Sequence, residues 1–201
     1  MSRIFIMRFK KLGLFRYVSA LDTIRSIERA LRRSGLKMEF TQGFHPMPKI
    51  SYVDPVPTGI VDKALYLKVF FEEDYDTNFV LEKIRKVCLR EICVFEIFDK
   101  NYDFNEIDGY SYKVIIKKPF SYDPDYVVEK KTKRGMRYFT LKETLENLRI
   151  VGLKDYVVLN YYLRKKNLFN PHSISESVYI AMREEALIGE KRFSEVLRGV
   201  S

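Results

Sequence analysis

Four arginines with helical spacing are the residues of this sequence best suited to binding a polyanion. They are Arg25, Arg29, Arg32 and Arg33. At about 100° per residue, their side chains fall on one arc of a helix. A guanidinium group suits phosphate because its planar fork donates two parallel hydrogen bonds. The alternative is an ordinary solvated helix face, since the helix dipole favours basic residues near a helix C-terminus.

A loop punctuated by glycine and prolines follows this helix. Gly43 allows a tight backbone or the close approach of a ligand. The rings of Phe44 and His45 can stack on a base, whereas Gln42 can read a base edge and Lys49 can contact a phosphate. The alternative is that Phe44 fills the core and that the prolines only rigidify a turn.

Three more basic residues complete the predicted RNA-binding set. Arg16 lies just before the helix, and Lys133 and Arg134 lie at the tip of a predicted hairpin. Exposed hairpin tips are commonly basic for solubility alone, which is the alternative for the latter two.

His45 is also the best single candidate for acid–base chemistry, because imidazole titrates near neutrality. No nucleophile or carboxylate stands beside it in the sequence, and a lone histidine is seldom enough for catalysis. We therefore expect a protein that is not an enzyme. A metal-independent endoribonuclease that uses His45 is the alternative.

The positive charge of the chain is concentrated near its start. The formal net charge is +9, yet residues 1 to 50 alone contain 11 basic and 3 acidic residues. A field concentrated in this way attracts phosphates or an acidic partner. Lysine and arginine that served solubility alone would be spread more evenly.

Composition argues against metal, redox and membrane functions. The two cysteines, Cys88 and Cys93, lack the spacing of a zinc site and are too few for a four-iron cluster. We expect buried, reduced core thiols and a cytoplasmic protein. Since no long apolar run is present, no membrane segment is expected. No cofactor is expected either.

The elements that must position these residues form an α+β pattern. Strands are predicted at Ile4 to Lys10, Leu36 to Phe40, Lys49 to Val53, Ala64 to Phe71 and Glu91 to Phe98. A helix from Ser19 to Ser34 has the apolar stripe Leu21, Ile24, Ile27 and Leu31. A second helix ends near Cys88. This order predicts a ferredoxin-like split βαβ module over residues 1–100.

A second small α/β module is predicted over residues 108–201. A hairpin is expected around Thr132 to Gly135. Helices are expected at Leu141 to Ile150 and, after the capping-box sequence that starts at Ser173, as far as Glu185. The acidic segment Asp99 to Asp108 is the predicted linker.

The first 66 residues resemble the N-terminal pattern of the radical-SAM-linked protein family. The matching sequence reads LFRYVSALD from Leu14, then Arg25, ERALRR from Glu28, QGFHP from Gln42 and PKIS from Pro48. Ala20 departs from the pattern, which has histidine there, and Asn is also common at the position of His45. Such proteins are fused to radical-SAM enzymes or encoded beside them, so the resemblance implies an accessory role.

Three functions remain open at this point. The leading hypothesis is a non-catalytic RNA-binding accessory protein, possibly one that presents RNA to a radical-SAM modifying enzyme. The endoribonuclease is the second hypothesis. The third is a protein-interaction adaptor whose basic face binds an acidic partner.

Overall fold

The computed structural model describes residues 3–132 and 135–200. The chain divides into two compact units. Unit 1 comprises residues 3–106 and 194–200, and unit 2 comprises residues 107–193. Among the described residues, no helix combines the length and the apolar character needed to cross a membrane.

Unit 1 contains four strands that pair antiparallel and two main helices. Its elements are β1 (Arg3–Lys11), a 3-10 turn (Gly13–Tyr17), α1 (Ala20–Arg33), β2 (Ile50–Tyr52), β3 (Val61–Phe71), α2 (Thr77–Arg85) and β4 (Ile92–Phe98). The strand order is β4-β1-β3, and β2 pairs with β3. The pairings of β1 with β3 and with β4, and of β2 with β3, are antiparallel.

The core of unit 1 follows the two-residue period of its strands. Phe5, Met7 and Phe9 project from the same face of β1 and are fully buried. They belong to a cluster with Ile27 of α1 and Ile84 of α2. The apolar face of α1 therefore holds the helix on the sheet, and its other side remains in solvent.

The start and end of α1 are set by local signals. The Asp22 amide donates to Ser19 Oγ at 3.1 Å, so Ser19 caps the helix as predicted. The hydrogen bond from Ser19, together with the charge of Arg25, lowers the pKa of the Asp22 carboxyl. Gly35 follows the helix with φ of +74°, a conformation that glycine adopts without strain.

Two predictions in unit 1 are wrong. Leu36 to Phe40 is not a strand, because only isolated bridges form at Met38 and Phe40. Leu21 does not join the buried stripe of α1 and is 57% exposed. At 100° per residue, Leu21 lies about 60° around the helix from Ile24 and only about 40° from Arg25, so its side chain points to the edge of the exposed arc.

The two cysteines are half-buried rather than fully buried, and both are free. Desolvation raises the pKa of the Cys88 thiol to about 11. The thiol is therefore protonated near neutral pH, and a protonated thiol is a poor nucleophile.

The main strands of unit 2 also pair antiparallel. Its elements are β5 (Gly109–Lys117), β6 (Val127–Thr132), β7 (Gly135–Thr140), α3 (Leu141–Thr144), β8 (Glu146–Gly152), β9 (Tyr156–Arg164), β10 (Val178–Ile188) and β11 (Lys191–Arg192). The order in this unit is β10-β5-β9-β8, and β11 pairs with β10. The predicted hairpin forms from β6 and β7. A final helix, α4 (Phe193–Arg198), follows β11, and all of its residues but the first belong to unit 1.

Both long helices predicted for the second half are wrong. Only Leu141–Thr144 is helical, and β8 follows it directly and pairs with β9. The segment after Ser173 contains a 3-10 turn, Pro171–Ile174, and then β10. Ser175 is extended, with φ of −164°, so no helix continues through it. The pairing of β10 with β5 therefore outweighs the local capping signal.

Candidate nucleic-acid interface

The four arginines of α1 are exposed along the solvent side of the helix. Arg25 forms an ion pair with Asp22 within the helix, with an N–O distance of 3.3 Å. Among the described residues, Arg29 has no hydrogen bond or ion pair. Arg33 donates to the carbonyl oxygen of Val87 at 3.0 Å. Only one of these side chains is thus neutralised by a carboxylate in the described part of the chain.

Arg32 connects the helix to the loop that follows it. Its guanidinium carbon lies 5.0 Å from the centre of the Phe40 ring. Cation–π contacts of this kind hold the guanidinium in place but leave its N–H groups able to donate. Since Phe40 lies at the base of the loop, the C-terminal end of α1 and the loop are adjacent.

The loop is the tip of an irregular hairpin. Phe40 bridges Pro48, and the Thr41 amide donates to the Met47 carbonyl at 2.8 Å. The Met47 amide in turn donates to Thr41 Oγ1 at 3.1 Å. These bonds close the loop at its base, so that residues 42–46 project into solvent.

The loop tip presents an aromatic ring with no packing role. Phe44 is 103% exposed, which excludes the alternative that it fills the core. Gln42 and His45 are exposed as well. Gly43 has φ of +138°, and nothing lies within 4 Å of the position that a Cβ atom would take. The glycine is therefore required by backbone conformation, and space remains for a ligand beside it.

Lys49 is less available than the sequence predicts. Its ammonium group lies 3.0 Å from Glu39 Oε2 and 4.4 Å from the centre of the Phe70 ring. The ion pair partly cancels the charge that Lys49 contributes to the loop.

The remaining predicted RNA-binding residues do not join this group. Arg16 lies before the N-terminal end of α1, where it stacks on Tyr17 at 4.6 Å and donates to the Gly13 carbonyl at 3.2 Å. Arg32 and Arg33 lie at the opposite end of a 14-residue helix, about 20 Å away. Lys133 and Arg134 lie outside the described residues.

The surroundings of His45 contain no catalytic partner within residues 3–132 and 135–200. Its imidazole forms no hydrogen bond or ion pair there. No group of three or more potential metal ligands occurs among the same residues. A general base needs an orienting group and a reacting hydroxyl within hydrogen-bond reach, and neither is present.

A pocket that sequence reasoning missed lies beside the first turns of α1. It has a volume of about 230 Å³. Its lining is mostly apolar and includes Leu21, Ile24, Tyr52, Val53, Val56 and Leu65. Lys11 and Asp62, each 1% exposed, also belong to the lining and face each other across β1 and β3.

A signal for this pocket was present in the sequence. Lys10 and Lys11 are consecutive in β1, so the two-residue period puts one of them on the buried face. Lys11 is that residue, and its ammonium group donates to the Val18 carbonyl at 2.7 Å. Asp62 Oδ1 accepts from the Ala64 amide at 2.9 Å.

The fold and the site define a mixed α/β protein with antiparallel sheets and an exposed basic helix beside a projecting aromatic loop. The chain belongs to DUF2344, described as an uncharacterised protein family conserved in bacteria, and the family model matches residues 4–171. No curated protein matches the chain significantly.

Proposed function

We propose that the protein is a non-catalytic RNA-binding protein. Its binding surface, here called the α1–loop surface, consists of Arg25, Arg29, Arg32 and Arg33 with residues 42–46 of the loop. The observation that carries the proposal is Phe44, a fully exposed ring at the tip of a loop whose base contacts Arg32 through Phe40. Stacking rings together with phosphate-binding cations are the combination that single-stranded nucleic acid requires.

Charge supports a polyanion as the ligand. Residues 1–50 contain 11 of the 36 basic residues but only 3 of the 27 acidic ones. The arginines of α1 are solvent-exposed, so a ligand can reach them without a rearrangement of the helix. An acidic protein partner would satisfy the same charges, and exposed aromatic rings such as Phe44 also pack in protein interfaces, so a direct measurement of RNA binding separates the two.

The endoribonuclease alternative receives no support from the site. His45 is exposed at a loop tip, and the described residues offer it neither a base-orienting carboxylate nor a nucleophile. We therefore keep His45 in the binding surface, where its ring can stack or donate.

Two finer proposals accompany this function. We propose that unit 1 is a ferredoxin-like split βαβ module, supported by the strand order β4-β1-β3-β2 and by helices after β1 and β3. From the resemblance of the N-terminal pattern, we also propose that the protein presents RNA to a radical-SAM modifying enzyme in the cytoplasm.

The salt dependence of RNA binding tests the proposal. Fluorescence anisotropy with labelled single-stranded RNA, measured from low to high salt, should give a logarithmic affinity that falls linearly with the logarithm of salt concentration. Each phosphate contact contributes a slope of about −0.7. Arg29→Ala should reduce the slope by about that amount.

The matched control is Arg149→Ala, which removes an exposed arginine of β8 in unit 2. Its slope should equal that of the wild type. Absence of binding at low salt, or an affinity that does not change with salt, would contradict the proposed function.

A further inference from the structure

We propose that a second pocket beside α1 binds a terminal phosphate of the RNA. This pocket, here called the arginine pocket, lies between α1 and the segment that joins α2 to β4, and its lining consists of Ser26, Ile27, Arg29, Ala30, Arg33, Leu89 and Ile92. The inference rests on the proposed function and names the chemical group that the C-terminal half of α1 recognises.

Two guanidinium groups line the arginine pocket from the same face of one helix. Arg29 and Arg33 are four residues apart, which makes their side chains neighbours on α1. Among the described residues, Arg29 forms no hydrogen bond or ion pair. Arg33 donates through Nη2 to the Val87 carbonyl at 3.0 Å. That bond holds the side chain against the opposite wall and leaves most of its N–H groups able to donate to a ligand.

The charge around the arginine pocket is positive on both walls. None of the described residues that line it is acidic. Residues 86–90, which form the second wall before β4, include Lys86 and Arg90 and no acidic residue. Ser26 Oγ already donates to the Asp22 carbonyl at 2.8 Å. The guanidinium groups are therefore the donors that an anion meets in this pocket.

The anion that suits two guanidinium groups is a phosphomonoester. Near pH 7 it carries a charge of about −1.5 to −2 and offers three oxygens as acceptors, whereas a backbone phosphodiester carries a single negative charge. Each guanidinium fork can donate two parallel hydrogen bonds to phosphate oxygens. The C-terminal end of the helix dipole contributes only about −0.5 charge, so two arginines outweigh it. A phosphomonoester in RNA occurs at an end of the strand.

The size of the arginine pocket matches a small group. Its volume is about 150 Å³, whereas pockets for drug-sized molecules have volumes of roughly 300–1,000 Å³. Its floor consists of Ile27, Ala30 and Ile92, which are at most 3% exposed. Because these apolar side chains supply neither donors nor acceptors, the exposed arginines decide which polar group binds.

The arginine pocket is continuous with the α1–loop surface. At 100° per residue, Arg29 lies about 60° around the helix from Arg32 and about 40° in the other direction from Arg33. Arg32 contacts Phe40 at the base of the loop, and Arg33 lines the pocket. Arg29 therefore lies between the loop side and the pocket side of α1. A strand whose base stacks at the loop can end in the pocket after crossing Arg29.

Three RNA oligomers that differ only at their ends test the inference. All have ten nucleotides, the same sequence and an internal fluorophore, and they carry a 5′ phosphate, a 3′ phosphate or hydroxyls at both ends. Anisotropy at one salt concentration should show a gain in affinity of about 10- to 150-fold for a phosphorylated oligomer over the hydroxyl one, as expected for hydrogen bonds to a charged group. The two phosphorylated oligomers carry equal charge, so the larger gain identifies the end that binds.

Two variants with equal charge separate the pocket from the general field of the helix. Arg29→Gln and Arg25→Gln each remove one positive charge from the exposed face of α1, but only Arg29 lines the pocket. Arg29→Gln should abolish the gain from the terminal phosphate. Arg25→Gln should weaken binding of all three oligomers by the same factor and so preserve the gain. Circular dichroism checks that both variants fold.

The outcomes separate this inference from the proposed function. If RNA binds with a salt-dependent affinity that is the same with and without a terminal phosphate, the arginine pocket is refuted as a phosphate site and the proposed function stands. A gain that survives in Arg29→Gln, or one that both variants reduce equally, refutes the pocket as well. If no RNA binds, the proposed function fails, and this inference fails with it.

Discussion

At the level of single residues, Phe44 is a side chain whose exposure leaves it without a role in stabilising the fold. Burying a phenylalanine side chain stabilises a protein by roughly 1.5–3 kcal/mol. Because its ring is fully exposed, Phe44 contributes almost none of this free energy. The hairpin below it closes through Thr41 and Met47, so the ring is held out at a defined place at no benefit to the core.

We therefore predict that Phe44→Ala changes affinity but not stability. Urea unfolding should give a free energy within about 0.5 kcal/mol of the wild type, as for most surface substitutions. RNA affinity measured by anisotropy should fall by about 5- to 150-fold, because a stacked base is lost. A large loss of stability with unchanged affinity would assign Phe44 to the fold instead.

At the level of elements, α1 is the part of the structure that positions the arginines. Its start depends on Ser19, whose side chain accepts from the Asp22 amide, and its apolar residues Ile24, Ile27 and Leu31 are buried. If the first turn loosens, Arg25 and the mouth of the pocket move with it. The cap therefore connects local stability to the binding surface.

We predict that Ser19→Ala lowers the free energy of unfolding by about 1 kcal/mol, because the Asp22 amide in the first turn of α1 loses its acceptor. Denaturant titration followed by circular dichroism measures this directly. Ser121→Ala is the control, because Ser121 is exposed in a loop of unit 2. An equal effect of both substitutions would mean that the cap contributes nothing specific.

The elements also show why one half of the chain was easier to predict than the other. In α1, cap, amphipathic period and terminal glycine are all local, and the sequence alone locates the helix within a residue or two. In β8 and β10, the deciding contacts are hydrogen bonds to β9 and β5. Strand partners that are distant in sequence cannot be recognised from the local pattern. The capping sequence at Ser173 therefore predicts a helix that does not form.

The residues of the proposed binding surface and of the pocket beside the first turns of α1 were likewise predicted only in part. Spacing alone placed Arg25, Arg29, Arg32 and Arg33 on an exposed face of α1. The pocket was missed because Lys11 and Asp62 are far apart in sequence and become neighbours only through the register of β1 and β3. The ion pair of Lys49 with Glu39 was also missed, since the fold of the loop base creates it.

At the level of the whole molecule, charge distribution is the feature that joins the proposals. The first 50 residues carry a net charge of +8 out of +9, and they include α1, the loop and the turn that holds Arg16. A polyanion is thus attracted to unit 1, and short-range contacts then decide where it lies. Orientation by charge followed by stacking is the usual division of roles in single-strand binding.

Photo-crosslinking to RNA, read by mass spectrometry of the peptides, tests the central claim most directly. The intact protein is irradiated with single-stranded RNA at low and at high salt. We predict crosslinks in residues 20–33 and 41–49 that disappear at high salt, because both segments contact the RNA and the contacts are electrostatic. Crosslinks confined to unit 2, or crosslinks on unit 1 that persist unchanged at high salt, would contradict the α1–loop surface as the binding site.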